Sequence, residues 1–348
     1  MKTKILKIES PNDLEKIKIA AKALRDGKLV VFPTETVYGL GGDGLNPKTC
    51  KNIYLAKGRP SDNPLILHIA RNDQLEALVR EIPEVAKKCM EKFWPGPLTM
   101  IFNRSDLVPD EATGGLDTVA IRMPSHKIAN AILNEADIPV AAPSANTSGR
   151  PSPTNANHVI DDLFSKVDYI VDSGFTDVGI ESTVLDVTVD PPMILRPGGI
   201  TLEMLEDAVG TVLTDNTAID ANDKRVPKSP GQKYKHYAPK AEAYCFAGNL
   251  KNIVNTINKK IKDQPDKKIA VLATEETQKD YLGAYKVINL GSRENMPQIA
   301  HNLFYALREC DELNVDLIYA EGFEFRGIGT GIMNRLLKAC GGKITLGL

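Results

Sequence analysis

The chain passes from an apolar run directly into a polar turn at Leu29-Val30-Val31-Phe32-Pro33-Thr34-Glu35-Thr36-Val37-Tyr38-Gly39-Leu40. Residues 29–32 are all apolar and include two valines and a phenylalanine, which predicts a short buried strand. The turn that follows is rich in hydroxyl groups. Polar side chains at the end of a buried strand are typical of α/β proteins, which bind ligands at the edge where strands end.

A first helix is predicted before this strand, with Ser10 as its cap, Pro11 as its first residue and Gly27 as its stop. Further strands are expected at 65–69, 98–102, 119–122, 140–142, 169–171, 182–186 and 193–196. Helices are expected at 72–93, 125–135, 155–163 and 201–208. Strands and helices that interleave with uneven connections predict an α/β domain with an open sheet of mixed direction.

A composition break separates this region from the rest of the chain. Residues 201–223 contain six carboxylates and no Lys or Arg, whereas residues 224–240 contain six cations and no carboxylate. Three prolines fall in the basic segment, which predicts a linker. We place an N-terminal domain at 1–210, the linker at 211–240 and a C-terminal domain at 241–348.

The C-terminal region alternates regularly between strand and helix patterns. Strands are predicted at 242–247, 268–273, 285–289 and 316–320, and helices at 249–262, 275–281, 294–313 and 329–339. This alternation is typical of a small, Rossmann-like parallel α/β domain.

Composition excludes several classes of protein. The 348 residues carry a net charge of −2, so no polycationic signature of nucleic-acid binding covers the chain. The five cysteines include no C-x-x-C pair, which argues against a zinc knuckle or a dithiol site. Neither a P-loop nor an H-E-x-x-H motif is present. Without a signal core or a long apolar stretch, we expect a cytoplasmic protein with no membrane contact.

Several loops that follow predicted strands or helices carry polar groups. Lys57 and Arg59 flank a glycine, which suits a polyphosphate but equally suits a solvated basic turn. Arg122 ends an apolar strand, so it needs either an anionic ligand or a structural salt bridge. Residues 144–149 are rich in Ser, Asn and Thr, as ordinary turns also are. Their concentration in one domain predicts a shared crevice.

Together these segments resemble the Sua5/YrdC family, the threonylcarbamoyl-AMP synthases. The resemblance covers the whole chain in the family's order, and its segments are Phe32–Leu40, Lys57–Pro60, Asn63–Leu65, Phe93–Thr99, Ala120–Pro124, Pro143–Gly149 and the linker segment Ser229–Pro239. It implies a YrdC-like N-terminal catalytic domain and a Sua5-type C-terminal domain.

The resemblance implies a nucleotidyltransferase that forms threonylcarbamoyl-AMP and pyrophosphate from L-threonine, bicarbonate and ATP. A separate tRNA threonylcarbamoyl transferase complex would use the product to make N6-threonylcarbamoyladenosine at position 37 of tRNA, and this chain would contact tRNA weakly at most. Mg²⁺ would be carried with ATP, without a protein metal site or an organic cofactor.

The family's binding residues carry over position by position. By resemblance, the ATP-binding residues are Lys57, Arg59, Asn63, Thr118, Ser144, Asn146, Thr154, Arg196 and Tyr237. Lys57 and Arg59 are also the catalytic cations of this set. The threonine-binding residues are Thr36, His68, Arg122 and Ser182, although a lone histidine on a strand is more often structural.

The basic linker is either a solvated tether or a mobile lid over the nucleotide. The lid hypothesis rests on the resemblance and on Tyr234, His236 and Tyr237, which alternate with lysines between two prolines. Two other functions stay open: an RNA-binding translation factor without catalysis, and a carbamoyltransferase that handles carbamoyl adenylates. The sequence lacks the aromatic RNP-type platform that the translation factor would use, and it lacks the zinc-finger cysteines that the carbamoyltransferase would need.

Overall fold

The computed structural model of the chain describes residues 2–215, 227–229 and 236–347. The chain divides into two compact units. The first comprises Met1–Ser148, Ser152–Asp177 and Glu181–Tyr234, and the second comprises Gly149–Pro151, Val178–Ile180 and Lys235–Leu348. The domain boundaries predicted at 210 and 240 stay predictions, and Tyr234 lies outside the described residues. Within the described ranges, no helix combines the length and hydropathy needed to cross a membrane.

The first unit is built on one long mixed sheet. Its strands are β1 (Lys4–Lys7), β2 (Val30–Phe32), β3 (Gly39–Asp43), β4 (Ile66–His68), β5 (Leu98–Asn103), β6 (Thr118–Arg122), β7 (Val140–Ala141), β8 (Tyr169–Asp172), β9 (Thr183–Asp186), β10 (Met193–Arg196) and β11 (Leu213–Thr214). They lie in the order β1-β8-β2-β3-β7-β4-β6-β5-β9-β10-β11. Because β4 is parallel to β6 and β5 is antiparallel to β6, the predicted mixed sheet is confirmed.

Helices cover this sheet and form two cores. They are α1 (Leu14–Arg25), α2 (Pro47–Lys57), α3 (Asn72–Leu78), α4 (Glu84–Phe93), α5 (Asp110–Thr113), α6 (Lys127–Ala136), α7 (Ala156–Leu163) and α8 (Leu202–Val209). The larger core contains Leu67, Met100 and Ile121, which lie side by side in the sheet. Their neighbours along each strand point to the other face, where Ile66, Ile101 and Ala120 form a small separate cluster.

Two predictions about helices in this unit are wrong. The helix expected at 72–93 is two helices, because Pro83 disfavours helical backbone at the residue before it and caps α4. Ser10 does not cap the first helix. Asp13 is the cap, since its carboxylate accepts a hydrogen bond from the Lys16 amide at 3.4 Å, and Ser10 belongs to the preceding turn.

The second unit is a parallel sheet with a helix in three of its four strand-to-strand connections, which confirms the predicted fold class. The strands are β12 (Glu242–Phe246), β13 (Ile269–Ala273), β14 (Lys286–Asn289), β15 (Leu317–Glu321) and β16 (Ile344–Thr345), in the order β14-β13-β15-β12-β16. The helices are α9 (Leu250–Lys262), α10 (Met296–Glu312) and α11 (Ile328–Ala339).

The helix predicted at 275–281 is also wrong, because this segment is a series of turns. The hydroxyls of Thr274, Thr277 and Tyr281 all bind the buried carboxylate of Glu321 at the end of β15. Arg293 completes this cluster with an ion pair of 2.8 Å to Glu321. Side chains that converge on one carboxylate override the weak helical preference of the segment.

Substitutions in α2 test the larger core. Ile53 is completely buried in that core, whereas Leu55, two residues later, is 76% exposed. We expect Ile53→Ala to lower the free energy of unfolding by about 2–5 kcal/mol and Leu55→Ala to change it by less than about 0.5 kcal/mol. The single tryptophan, Trp94, lies in the first unit, so its fluorescence during urea unfolding reports on that unit. Equal losses of unfolding free energy in Ile53→Ala and Leu55→Ala would contradict the assignment of Ile53 to the buried face of α2.

Candidate active site

The polar turn after β2 is fixed by Thr34. Its hydroxyl donates to the carbonyl of Val37 at 2.6 Å and accepts from the amides of Thr36 and Val37 at 3.2 and 3.3 Å. This local network holds Glu35 and Thr36 in place, although both are almost fully buried. Hydroxyl-to-backbone bonding of this kind is the physical reason why the sequence forms a turn here.

Arg122, the last residue of β6, is a buried charge with three partners. Only 4% of it is exposed, and its Nη1 donates to the Thr36 hydroxyl at 2.9 Å. Its Nε donates to the carbonyl of Gly96 at 3.3 Å, and its Nη2 lies 2.7 Å from the carboxylate of Glu35. A buried guanidinium is therefore already paired by a carboxylate of the chain.

Glu35 was missed as a site residue in the sequence. The available signal was its place in the polar turn, because a cation buried at a strand end requires an anion and Glu35 is the carboxylate in that segment. Burial raises the pKa of Glu35, but the charge and hydrogen bonding of Arg122 outweigh it and hold the pKa below its ordinary value. Glu35 is therefore ionised at neutral pH.

His68 lies beside Arg122 in the sheet. His68 of β4 and Thr99 of β5 are the direct neighbours of Arg122 on its two sides, so the three side chains share one face. The ring of Phe32 meets the His68 ring edge-on at 6.4 Å. Burial, with the charge of Arg122, lowers the pKa of His68 to about 3, so the imidazole is neutral.

Ser182 and Arg196 continue the same row of polar groups. The hydroxyls of Thr99 and Ser182 lie 2.8 Å apart, and Arg196 donates to the Ser182 carbonyl at 3.1 and 3.0 Å and to its hydroxyl at 3.2 Å. The backbone approaches closely here, because a Cβ on Gly198 would lie 2.5 Å from the Glu181 carbonyl oxygen. Hydrogen bonds thus join Thr36 to Arg122 and join Ser182 to Arg196, and the sheet pairing of Thr99 with Arg122 places the two groups side by side.

A second group of predicted residues surrounds Lys57. Its ammonium, 2% exposed at the end of α2, donates to the carbonyls of Ser144 and Asn146 and to the Asn146 side chain. The Ser144 hydroxyl also binds the Asn146 side chain, at 2.6 Å. Lys57 is therefore the anchor of the loop that follows β7. An isolated bridge between Gly39 and Ser144 connects this loop to the strand after the polar turn.

Arg59 and Asn63 form the wall next to Lys57. Gly58 allows the chain to turn between the two cations, because it adopts a left-handed conformation with φ of 61°. Arg59 donates to the carbonyls of Asn63 and Pro64 at 3.1 and 3.0 Å. Among the described residues, nothing donates to the buried side-chain oxygen of Asn63. A buried acceptor of this kind is a place for a ligand donor.

The remaining predicted residues lie further away or in the second unit. Thr118 begins β6 on the same face as Arg122, at a distance of about 13 Å along the strand. Thr154 is buried beside His158 of α7. Tyr237 belongs to the second unit, where it packs on Phe304 at 5.1 Å under the guanidinium of Arg335. His236 packs on Tyr237 at 5.5 Å.

The face of the sheet between Thr118 and Arg122 is apolar. Ile66, Ile101, Ala120 and Val184 form this small cluster, together with Leu195. An apolar floor with polar groups at both ends is the usual construction of a small-molecule site.

Two family models match the chain. A model described as "Telomere recombination" matches residues 22–198. A second, described as "Threonylcarbamoyl-AMP synthase, C-terminal domain", matches residues 200–341.

Close relatives span nearly the whole chain. A threonylcarbamoyl-AMP synthase of Bacillus subtilis is 47% identical over 99% of both chains. One of Pyrococcus abyssi is 47% identical over 94% of this chain and 95% of its own length. The crystal structure of P. abyssi Sua5 complexed with L-threonine superposes with a TM-score of 0.93 at 45% identity, covering 99% of each chain.

The neutral state of His68 predicts a pH dependence of stability. The pKa of His68 is about 3 in the folded chain, below the ordinary value of 6.5. Between these two pH values the imidazole is therefore protonated in the unfolded chain and neutral in the folded chain. The contribution of the neutral His68 to the free energy of unfolding is fully present above pH 6.5 and is lost as the pH falls towards 3. Between pH 7.5 and 5.0, we expect wild type to lose about 2 kcal/mol more stability than His68→Gln.

Urea unfolding followed by Trp94 fluorescence at the two pH values measures this difference. NMR of the His68 ring, assigned by its absence in His68→Gln, should show no titration from pH 8 to pH 5. A titration near pH 6.5 would contradict the buried, neutral imidazole.

Proposed function

Because the chain belongs to the Sua5/YrdC family of threonylcarbamoyl-AMP synthases, we propose that it forms threonylcarbamoyl-AMP and pyrophosphate from L-threonine, bicarbonate and ATP. The product would serve the synthesis of N6-threonylcarbamoyladenosine in tRNA, in the cytoplasm, through a separate transferase complex. The observation that carries this proposal is the buried Arg122, held between Thr36 and Glu35 in a row of polar groups that suits a small amino acid.

The threonine end of the site is formed by Arg122, Thr36, Ser182 and His68. The guanidinium of Arg122 binds the carboxylate of the amino acid, because a planar fork of donors matches two carboxylate oxygens. The side-chain hydroxyl of threonine then meets Thr36, Ser182 and the neutral imidazole of His68. The Nδ1 of His68 lies 3.2 Å from the Ile66 carbonyl, which can only accept, so Nδ1 carries the ring proton and Nε2 is the nitrogen that can accept a hydrogen bond from the substrate hydroxyl.

The nucleotide end is formed by the residues around Lys57. Lys57 and Arg59 supply positive charge for the triphosphate, and Asn63, Ser144 and Asn146 supply polar groups beside it. Thr118, Thr154, Arg196 and Tyr237 complete the proposed ATP set. Magnesium would be carried on the triphosphate. Within the described ranges, no group of three or more His, Cys, Asp or Glu residues is arranged to hold a metal.

The chemistry requires no covalent intermediate with the protein. The threonine amine attacks bicarbonate, and loss of water leaves a carbamate on nitrogen. A carbamate oxygen then attacks the α-phosphorus of ATP, and the bond to the β-phosphate oxygen breaks to release pyrophosphate. The protein contributes by holding the two reactants together and by neutralising the charge of the departing pyrophosphate.

We also propose that the linker closes over the nucleotide and excludes water from the labile product. Support comes from its described part in the first unit. Lys228 lies 3.4 Å from the buried carboxylate of Asp186 in β9, and Ser229 is completely buried. Asp186 belongs to the same sheet face as Arg122 and Thr99, since it lies two residues after Val184, the sheet neighbour of Thr99.

Product analysis tests the proposed reaction. We expect the purified chain, given ATP, L-threonine and ¹³C-bicarbonate, to release a threonine–AMP conjugate that carries the label in mass spectra, together with pyrophosphate. Arg122→Gln and Arg59→Gln should each abolish the labelled conjugate, whereas Lys51→Gln, which changes an exposed cation of α2, should not. ATP cleavage that does not depend on threonine would contradict the proposal.

The threonine pocket should also distinguish threonine from valine, which has a methyl group in place of the hydroxyl. Valine could not make the hydrogen bonds that Thr36, His68 and Ser182 are proposed to form with the substrate hydroxyl. We expect kcat/KM for valine to be lower by about 10²-fold or more, because loss of a substrate hydrogen bond inside a buried polar pocket is costly. Pyrophosphate release with each amino acid measures the ratio, and near-equal rates would refute the pocket assignment.

A further inference from the structure

We propose that Glu35 is a specificity-determining residue that makes the site around Arg122 select a zwitterionic amino acid over a simple carboxylate anion. This inference rests on the proposed function, because it assumes that Arg122 binds the threonine carboxylate. It concerns a residue outside the predicted binding set. The candidate ligands that it separates are threonine and anions such as bicarbonate, which the proposed reaction itself requires in the same crevice.

The geometry places Glu35 against the ligand-binding atoms of Arg122. Glu35 Oε1 lies 2.7 Å from Arg122 Nη2, and the exposed fractions of the two side chains are 5% and 4%. The Thr36 hydroxyl and the Gly96 carbonyl occupy one N–H each of Nη1 and Nε. These contacts use one N–H of each terminal nitrogen, so a carboxylate that reached the remaining N–H groups would bind next to Glu35.

The charge of the site decides which ligands it accepts. Arg122 and Glu35 together carry no net charge, so a zwitterion enters without leaving an uncompensated buried charge. A simple carboxylate brings one negative charge into the same place and lies against Glu35. Buried charges interact strongly over a few ångströms because water does not screen them. Glu35 therefore repels the carboxylate of any ligand, and the added negative charge is compensated only when the ligand also carries an ammonium group.

The neighbouring titratable groups do not change this balance. His68 of β4 is neutral, since burial lowers its pKa to about 3. Burial also lowers the pKa of His126, which caps α6, so this ring is neutral as well at neutral pH. Glu35 itself stays ionised because Arg122 holds its pKa down. A proton-accepting role for Glu35 is disfavoured by the same shift, since a strong acid is a weak base.

The alternative is that Glu35 only supports the conformation of Arg122. The two roles predict different results when the charge is removed without changing the size. If Glu35 only supports Arg122, its loss weakens the binding of every Arg122 ligand to a similar extent. If the Glu35 charge selects the ligand, its loss weakens the binding of threonine relative to that of anions. Arg122 then attracts any carboxylate, and the threonine ammonium has lost its partner.

The experiment compares threonine with 3-hydroxybutyrate, which is threonine without its ammonium group. The affinity of each is measured by equilibrium binding and by competition in the pyrophosphate assay. In wild type, we expect 3-hydroxybutyrate to bind at least about 10-fold more weakly than threonine. In Glu35→Gln, we expect the ratio of the two dissociation constants to shift by at least about 10-fold in favour of 3-hydroxybutyrate. Glu35→Asp keeps the charge and should keep the wild-type preference.

A matched control is available in the second unit. Glu321 and Arg293 form an ion pair at 2.8 Å in which the carboxylate is completely buried and the arginine side chain is 22% exposed, so Glu321→Gln removes a buried, paired carboxylate from a place that the proposed reaction does not use. This variant should leave the ratio unchanged. Circular dichroism confirms that each variant is folded before its binding is measured.

The outcomes separate this inference from the proposed function. If Arg122→Gln leaves threonine binding unchanged, the proposed threonine site is wrong. If Arg122→Gln abolishes binding while Glu35→Gln weakens both ligands equally, the proposed function stands and the role of Glu35 in selection is refuted. Equal binding of the two ligands to wild type refutes it too, and this measurement does not depend on any variant being folded.

Discussion

A guanidinium buried at the end of a strand is the constraint on which the first unit depends. Arg122 is 4% exposed, and an unpaired cation in that position would cost several kcal/mol. Its partners come from separate parts of the chain: Glu35 and Thr36 from the turn after β2, and the Gly96 carbonyl from the loop before β5. These loops therefore cannot vary independently, because each supplies one contact to the same charge.

The mixed direction of the sheet explains why these groups meet. The end of β6 adjoins the beginning of β5, since the two strands are antiparallel, and the beginning of β9 lies beside β5, since those two are parallel. Residues from strand ends and strand beginnings thus share one edge, which a purely parallel sheet would not allow. Thr99 is the link, because it is the sheet neighbour of Arg122 and its hydroxyl contacts Ser182.

The sequence predicted the fold class and the polar strand ends, because hydrophobic periodicity and turn residues are local signals. It did not identify Glu35 as the partner of Arg122, since that contact joins residues 87 positions apart and depends on strand order. The error at 275–281 has a similar origin. Propensity favoured a helix, but Thr277 and Tyr281 bind Glu321, which is 44 and 40 residues away in the chain.

Lys57 shows how one residue type can carry two physical roles. The sequence predicts a phosphate-binding cation, yet the Lys57 ammonium has three donors and meets three acceptors from Ser144 and Asn146. It therefore holds the loop after β7 in shape while its charge remains buried beside Ser144 and Asn146. Arg59, across the left-handed turn at Gly58, presents its fork from a separate anchor at Asn63 and Pro64. A substitution of Lys57 consequently alters both the local charge and the loop, so its effect on ATP cannot be read as the loss of one phosphate contact.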